Sequence, residues 1–170
     1  TFIRHRLGLW FWLYWLYSKA ILVLLMFVGA CSGSTGGGIK VSRIVIFCKS
    51  IGKEIMYAAH PKSVKKTMMN GRIIEHETIR VINVYMAAYL VIFVSSVLLI
   101  SIDNFDFTTN FTAIAATLNN IGPGLAKVGP TANFSIYSPF SLIVMTFDML
   151  IGRLEIFPML VLFSKYTWRK

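Results

Sequence analysis

The chain has 170 residues, 56% of them hydrophobic and only 14% charged, with a mean hydropathy of +0.66. A soluble domain carries roughly 25% charged residues, so water is a poor solvent for this composition and the bilayer is the expected one. The formal net charge of +10 raises nucleic acid as a partner, but the basic residues share no face with stacking aromatics, and no nucleic-acid partner is expected.

A helix that crosses a bilayer needs roughly 20 mostly apolar residues, and residues 7–30, 79–102 and 140–164 supply such stretches. Residues 7–28 read as a helix with Trp10, Phe11, Trp12, Tyr14, Trp15 and Tyr17 clustered at one end, the aromatic belt of a helix meeting headgroups. A run of small residues follows, Gly29-Ala-Cys-Ser-Gly-Ser-Thr-Gly-Gly-Gly-Ile39, after which an apolar pattern with interspersed lysines resumes over residues 39–59. His60-Pro61 ends it, because the residue before proline is pushed out of helical angles, and residues 63–77 are polar and basic. Residues 79–102 form the cleanest span: from 85 to 100 only Ser95 and Ser96 interrupt it apart from two tyrosines. Residues 107–120 are apolar but too short to cross before Gly122-Pro123-Gly124, so a re-entrant half-helix is expected there. The order span, half-helix, glycine loop, span is that of a potassium-channel pore unit.

Nine of the 17 basic residues (Lys40, Arg43, Lys49, Lys53, Lys62, Lys65, Lys66, Arg72, Arg80) lie in one segment between apolar spans, and Lys165, Arg169 and Lys170 follow the last one. By the positive-inside rule both regions are cytoplasmic, while residues 101–139, with Lys127 against Asp103 and Asp106, lie outside. Arg4 and Arg6 run against this pattern. Cys31 and Cys48 lack C-x-x-C spacing, so neither a zinc site nor a disulfide framework is indicated, and packing is their expected role. The chain begins at Thr1 without a signal-peptide pattern, which leads us to expect a truncated amino terminus.

Three stretches carry candidate chemistry. Backbone that is not helical exists at membrane depth only when buried in protein or lining a water-filled cavity. The stretch Asn120-Ile-Gly-Pro-Gly124 fits either a filter whose carbonyls replace an ion's hydration shell or an ordinary outer Pro-Gly turn. Gly33 and Gly38 have the spacing of a phosphate-binding loop, but Ile39 stands where the lysine is required and no buried strand precedes the motif. The same glycines suit a polar constriction in a pore or close helix packing. Arg153 lies mid-span with Asp148 and Glu155 at similar depth, where an ionised group costs about 2.5–3.5 kcal/mol, so it faces water or belongs to an interhelical ion pair.

Gly29-Ala-Cys-Ser-Gly-Ser-Thr-Gly-Gly-Gly-Ile-Lys40, Thr117-Leu-Asn-Asn-Ile-Gly-Pro-Gly-Leu125 and Gly152-Arg-Leu-Glu-Ile-Phe157 together resemble three signature stretches of the TrkH-type membrane subunits of Trk potassium-uptake systems. Their order and separation fit as well. The related Ktr subunits share the architecture, but Gly36 to Gly38 and the Gly-Arg-Leu-Glu-Ile-Phe string are closer to Trk.

The resemblance implies an all-α membrane protein of helix, re-entrant pore loop, helix repeats, four around one path, with the end of repeat three and all of repeat four in this chain. The expected units are 1–59 (second half of the third repeat), 60–78 (cytoplasmic connector) and 79–170 (fourth repeat: outer helix 79–102, pore helix 107–120, filter 120–124, inner helix 140–164). It further implies a filter of Asn120, Ile121, Gly122 and Pro123, with the Ile121 and Gly122 carbonyls facing potassium. A gating loop of Gly33, Ser34, Thr35, Gly36, Gly37 and Gly38 and a cation barrier at Arg153 complete the expected site. The implied activity is potassium uptake, with potassium as transported substrate, no cofactor and no enzymatic step. The implied setting is a multi-pass protein of the bacterial inner membrane, in contact with lipid, as a homodimer with a cytosolic nucleotide-binding, TrkA-like regulatory subunit. The alternatives are a sodium-coupled or weakly selective cation transporter of Ktr type, a non-conducting assembly subunit, and a nucleotide-binding membrane enzyme using residues 32–40.

Overall fold

The computed structural model describes residues 2–29, 37–60, 68–69 and 72–154. Five helices follow in order: α1 (Phe2–Phe27), α2 (Val41–Ala59), α3 (His76–Ile100), α4 (Phe107–Leu118) and α5 (Pro139–Leu154). Short 3-10 turns occupy Ser101–Asp103, Ala126–Val128 and Phe134–Ile136. The expected all-α class holds. One addition is a two-residue antiparallel ladder inside the expected connector, β1 (Met68–Met69) against β2 (Arg72–Ile73), with Met68 opposite Ile73.

Several expected boundaries move, each for a local reason. The half-helix stops at Leu118 instead of 120 because Asn120 takes φ 54°, a left-handed conformation that terminates a helix. Helix α5 starts on Pro139, whose fixed φ and missing N–H suit the first helical position. Helix α3 starts at His76, inside the expected connector, and tightens to 3-10 geometry after Ile100. Helix α1 already begins at Phe2 and ends at Phe27, and α2 begins at Val41 after an extended Lys40. The expected inner-helix residues 155–164 lie outside the described residues.

Helix α3 shows how the sequence suits lipid. Its 25 residues rise about 37 Å, more than the roughly 30 Å of a hydrocarbon core. Its buried residues, Ile79, Ile82, Tyr85, Tyr89, Phe93, Ser96 and Ile100, recur every three or four positions and so form one stripe. Val81, Val84, Leu90, Val91, Val94 and Leu98 stand exposed on the other side. Tyr89 and Ser96 thus face protein while aliphatic side chains face outward, the arrangement a bilayer favours. Among the described residues α3 is the one helix long and apolar enough to cross a membrane. The apolar stretch Tyr14–Phe27 of α1 is shorter, and the described part of α5 is 16 residues.

Helix α4 sits at the centre of the unit. Thr109, Asn110 and every residue from Thr112 to Leu118 are buried, and the core joins Tyr89, Phe93 and Ile100 of α3, Ala113, Ile114, Ala115 and Leu118 of α4, and Met145 of α5. Three rings from three helices meet there: Phe93 lies 5.3 Å from Phe27 and 5.0 Å from Phe111, in edge-on geometry. A smaller cluster joins Ile46 of α2 to Ile79 and Ile82 of α3.

Candidate functional site

Helix α4 has 12 residues and rises about 18 Å, well short of a crossing. Asp106 starts it, its carboxylate accepting from Thr108 N at 3.2 Å. Two of its threonines are satisfied within the helix: Thr112 Oγ1 donates to Thr108 O (2.7 Å) and Thr117 Oγ1 to Ala113 O (3.0 Å). After Leu118 the chain turns back. Leu125 N donates to Thr112 Oγ1 at 3.0 Å, so by Leu125 the backbone has returned about 9 Å along the half-helix at 1.5 Å per residue. Near the start of α4, Tyr137 Oη donates to Asn110 Oδ1 (3.0 Å), and the Ser138 N–H and hydroxyl both donate to Asp103 Oδ2 (3.1 Å each). The polypeptide therefore enters and leaves on one side, which is what re-entrant means. Burial and the nearby Asp103 charge push the Tyr137 phenol up to about 12.

The segment between the two legs is Asn120-Ile121-Gly122-Pro123-Gly124. Its first N–H groups are occupied, Asn120 N donating to Thr117 O (3.1 Å) and Ile121 N to Ala116 O (2.9 Å). Among the described residues no hydrogen bond ends on the carbonyls of Ile121, Gly122 or Pro123. Gly122 has φ 111°, which side chains rarely adopt, yet a Cβ there would meet nothing within 4 Å. Glycine is needed at this position by the backbone angle and not by lack of room. Ile121 divides two cavities, one of about 280 Å³ shared with Leu22, Gly29 and Gly37, the other of about 320 Å³ shared with Gly122, Met145 and Met149.

Of the expected gating loop, Gly33, Ser34, Thr35 and Gly36 lie outside the described residues; Gly37 and Gly38 are described. The neck of this excursion is pinched by Gly29 N donating to Ile39 O at 2.9 Å, within a parallel bridge between Val28 and Ile39. Gly37 and Gly38 press on the end of α4: a Cβ at Gly37 would stand 2.6 Å from Asn119 O.

Gly152 of α5 abuts the same end. A Cβ there would overlap Leu118 O, so only glycine allows the two backbones this approach. The next residue, Arg153, is exposed and forms no ion pair with any described residue. Asp148, expected at similar membrane depth, is 2% exposed and accepts from Ser96 Oγ of α3 at 2.8 Å. Five residues apart on one helix, Asp148 and Arg153 lack the three- or four-residue spacing that brings side chains together. Glu155 lies outside the described residues.

Sequence reasoning missed two residues that hold this region. Asn119 ends α4, its Oδ1 accepting from Tyr89 Oη (2.9 Å) and its Nδ2 donating to Ala115 O (2.9 Å). Its neighbour Asn120, already assigned to the filter, donates from Nδ2 to Met149 O of α5 at 3.1 Å. Tyr89 carries no local sign of this contact, since thirty residues separate it from Asn119.

A long apolar helix, a buried half-helix that returns to its own side, and a second helix touching the half-helix tip define a membrane protein of the re-entrant-loop class. Residues 17–169 match the family model "TrkH: Cation transport protein", and the chain belongs to the TrkH family. It is 36% identical over 155 residues to the Trk system potassium uptake protein TrkH of Escherichia coli, covering 91% of this chain and 32% of that relative. It is 35% identical over 154 residues to TrkG of the same organism, covering 90% and 31%. The crystal structure of the potassium transporter TrkH from Vibrio parahaemolyticus superposes with a TM-score of 0.80 at 34% identity, covering 91% of this chain and 32% of that one. The chain thus spans about a third of the length of the curated relatives it matches.

Proposed function

We propose that this chain forms the last part of a potassium-uptake pathway, in which an ion loses water against backbone carbonyls and passes a glycine-rich constriction toward the cytoplasm. The observation that carries this reading is the segment Asn120–Gly124 at the tip of a buried half-helix, where the Ile121, Gly122 and Pro123 carbonyls accept no hydrogen bond from the described residues. Such carbonyls suit a partly dehydrated cation, and the partial negative charge at the carboxy-terminal end of α4 adds to the attraction. Residues 1–59 act as the end of the third unit, 60–78 as the connector and 79–170 as the fourth unit, with the pore helix trimmed to 118. Asn120, Ile121, Gly122 and Pro123 form one of four filter loops, and residues 33–38 form the gate. Arg153 raises a charge barrier below the filter, as the family resemblance implies.

The relatives' names, which refer to a Trk system of potassium uptake, support potassium as substrate and a multi-component setting. On this reading the protein is a multi-pass component of the bacterial inner membrane, works as a homodimer and meets a cytosolic TrkA-like nucleotide-binding subunit. The deciding experiment is rubidium uptake by potassium-uptake-deficient bacteria expressing the intact protein or its Gly122→Ser variant, with and without excess sodium. Uptake that resists sodium in the parent and loses that resistance in the variant is the expected result. Sodium-sensitive uptake in both would favour a weakly selective transporter, and no uptake even with the regulatory subunit supplied would favour an assembly role.

A further inference from the structure

We propose that Asn119 is the positioning residue of the filter loop and the seat of the glycine-rich segment, so that Tyr89, Asn119 and Gly37 act as one joint between gate and filter. The inference rests on the pathway reading above and adds residues to it.

The geometry begins with orientation. Asn119 is 4% exposed and Tyr89 6% exposed, so both side chains depend on protein partners. A backbone carbonyl only accepts, so the amide nitrogen of Asn119 must face Ala115 O, and Oδ1 is left to accept the Tyr89 hydroxyl proton. The side chain is thereby locked at both ends, to its own helix and to α3. Its backbone angles (φ −93°, ψ 0°) are the last near-helical ones, and Asn120 at φ 54° starts the turn. Whatever rotates Asn119 therefore redirects Asn120 and, after it, the Ile121 and Gly122 carbonyls. Asn120 is in turn bound to Met149 O, so the first two residues past α4 are fastened to α3 and α5 respectively.

Gly37 and Gly38 meet the same residue. A Cβ at Gly37 would lie 2.6 Å from Asn119 O and 3.0 Å from Asn120 Cβ. Gly38, at φ 84°, would direct one to 3.1 Å from Asn119 Oδ1, the atom that Tyr89 holds. The last two glycines of the candidate gate are thus packed on the backbone and side chain of the residue that begins the filter turn. A displacement of that segment must either leave Asn119 or move it.

The test uses the intact protein reconstituted in liposomes, with rubidium and sodium uptake normalised to incorporated protein. Tyr89→Phe keeps the ring packing and deletes one buried hydrogen bond. It should reduce the rubidium-over-sodium preference about three- to tenfold, the size set by one such bond. Gly37→Ala should reduce it similarly, and the double variant should be no worse than the stronger single one, because both act through Asn119. If Tyr89→Phe is not recovered as folded protein, Asn119→Ser replaces it with the same expected loss. A parental preference in the recovered variant, uptake of both ions lowered in proportion, or fold-changes that multiply in the double variant would each overturn the joint. A parent that moves no rubidium even with the regulatory subunit supplied would remove the pathway reading and this inference with it.

Discussion

At the amino-terminal end of α4 the polar groups are tied within the unit, whereas past the carboxy-terminal end the carbonyls accept no hydrogen bond from the described residues, although one short helix carries both. At the amino-terminal end, Asp106 caps the helix, Asn110 binds Tyr137 and Phe105 O, and Asp103 holds Ser138. Thr109 Oγ1 is the exception there, buried without a partner, and nothing in the structure explains it. At the carboxy-terminal end, the N–H groups of Asn120 and Ile121 are used, while the carbonyls from Ile121 to Pro123 accept no hydrogen bond from the described residues. Unpaired carbonyls at membrane depth are costly unless water or an ion serves them. The comparison also separates two kinds of glycine: Gly122 is required by φ in open space, Gly152 by contact at an ordinary φ.

The largest effect should come from breaking the contact that sets the carboxy-terminal end. Gly152→Val would drive a branched side chain into Leu118 O, which a Cβ alone already overlaps. Overpacking commonly costs about 1–3 kcal/mol and more when only backbone is available to move. The variant should lose both uptake and its thermal unfolding transition in detergent, whereas Gly122→Ser should retain the transition. A Gly152→Val protein with parental melting would show that α5 and α4 are not held at this distance.

A smaller effect, on flux without folding, should follow at the residue just beyond. If Arg153 stands as a barrier below the filter, Arg153→Gln should raise basal rubidium flux severalfold with unaltered thermal stability. Flux that stays the same while the melting temperature falls would make it the member of a structural ion pair with a residue beyond those described.

The parts legible in the sequence were those fixed by local rules. The span in α3 was readable because its polar interruptions are few, and burial at three- and four-residue spacing then put Tyr89 and Ser96 inside. The half-helix was readable from its shortness between Asp106 and Gly122-Pro123-Gly124. Its end was misjudged by two residues because an asparagine's left-handed angle leaves no trace in composition, although asparagine tolerates it better than most. The ladder at Met68 and Ile73 went unread despite Asn70-Gly71, a strong hairpin signal, because no alternating strands flank it. Partners distant along the chain were the least legible: Asp148 was placed only at the depth of Arg153, and its bond is to Ser96, 52 residues away. Motif and left-handed backbone angle coincide at Gly122, whereas the bond that ties Asn119 to another helix has no counterpart in any local motif.

The smallest effect sharpens the comparison from the anchored side. Tyr137→Phe removes the bond to Asn110 and should lower stability by about 1 kcal/mol while leaving the rubidium-over-sodium preference intact, since the anchor lies a helix length from the carbonyls. The pH dependence gives the effect a signature. Burial, and secondarily the Asp103 charge, raise the phenol from 10.0 to about 12, so the folded form holds the proton more tightly than the unfolded form. The stability from this group is fully present below pH 10 and is lost as pH rises through about 12. Melting temperatures of the parent should therefore fall across that interval with a component absent from Tyr137→Phe. A selectivity change in this variant, or identical alkaline melting curves, would mean that the amino-terminal network is not a separate anchor and that the two ends of α4 are one mechanical unit.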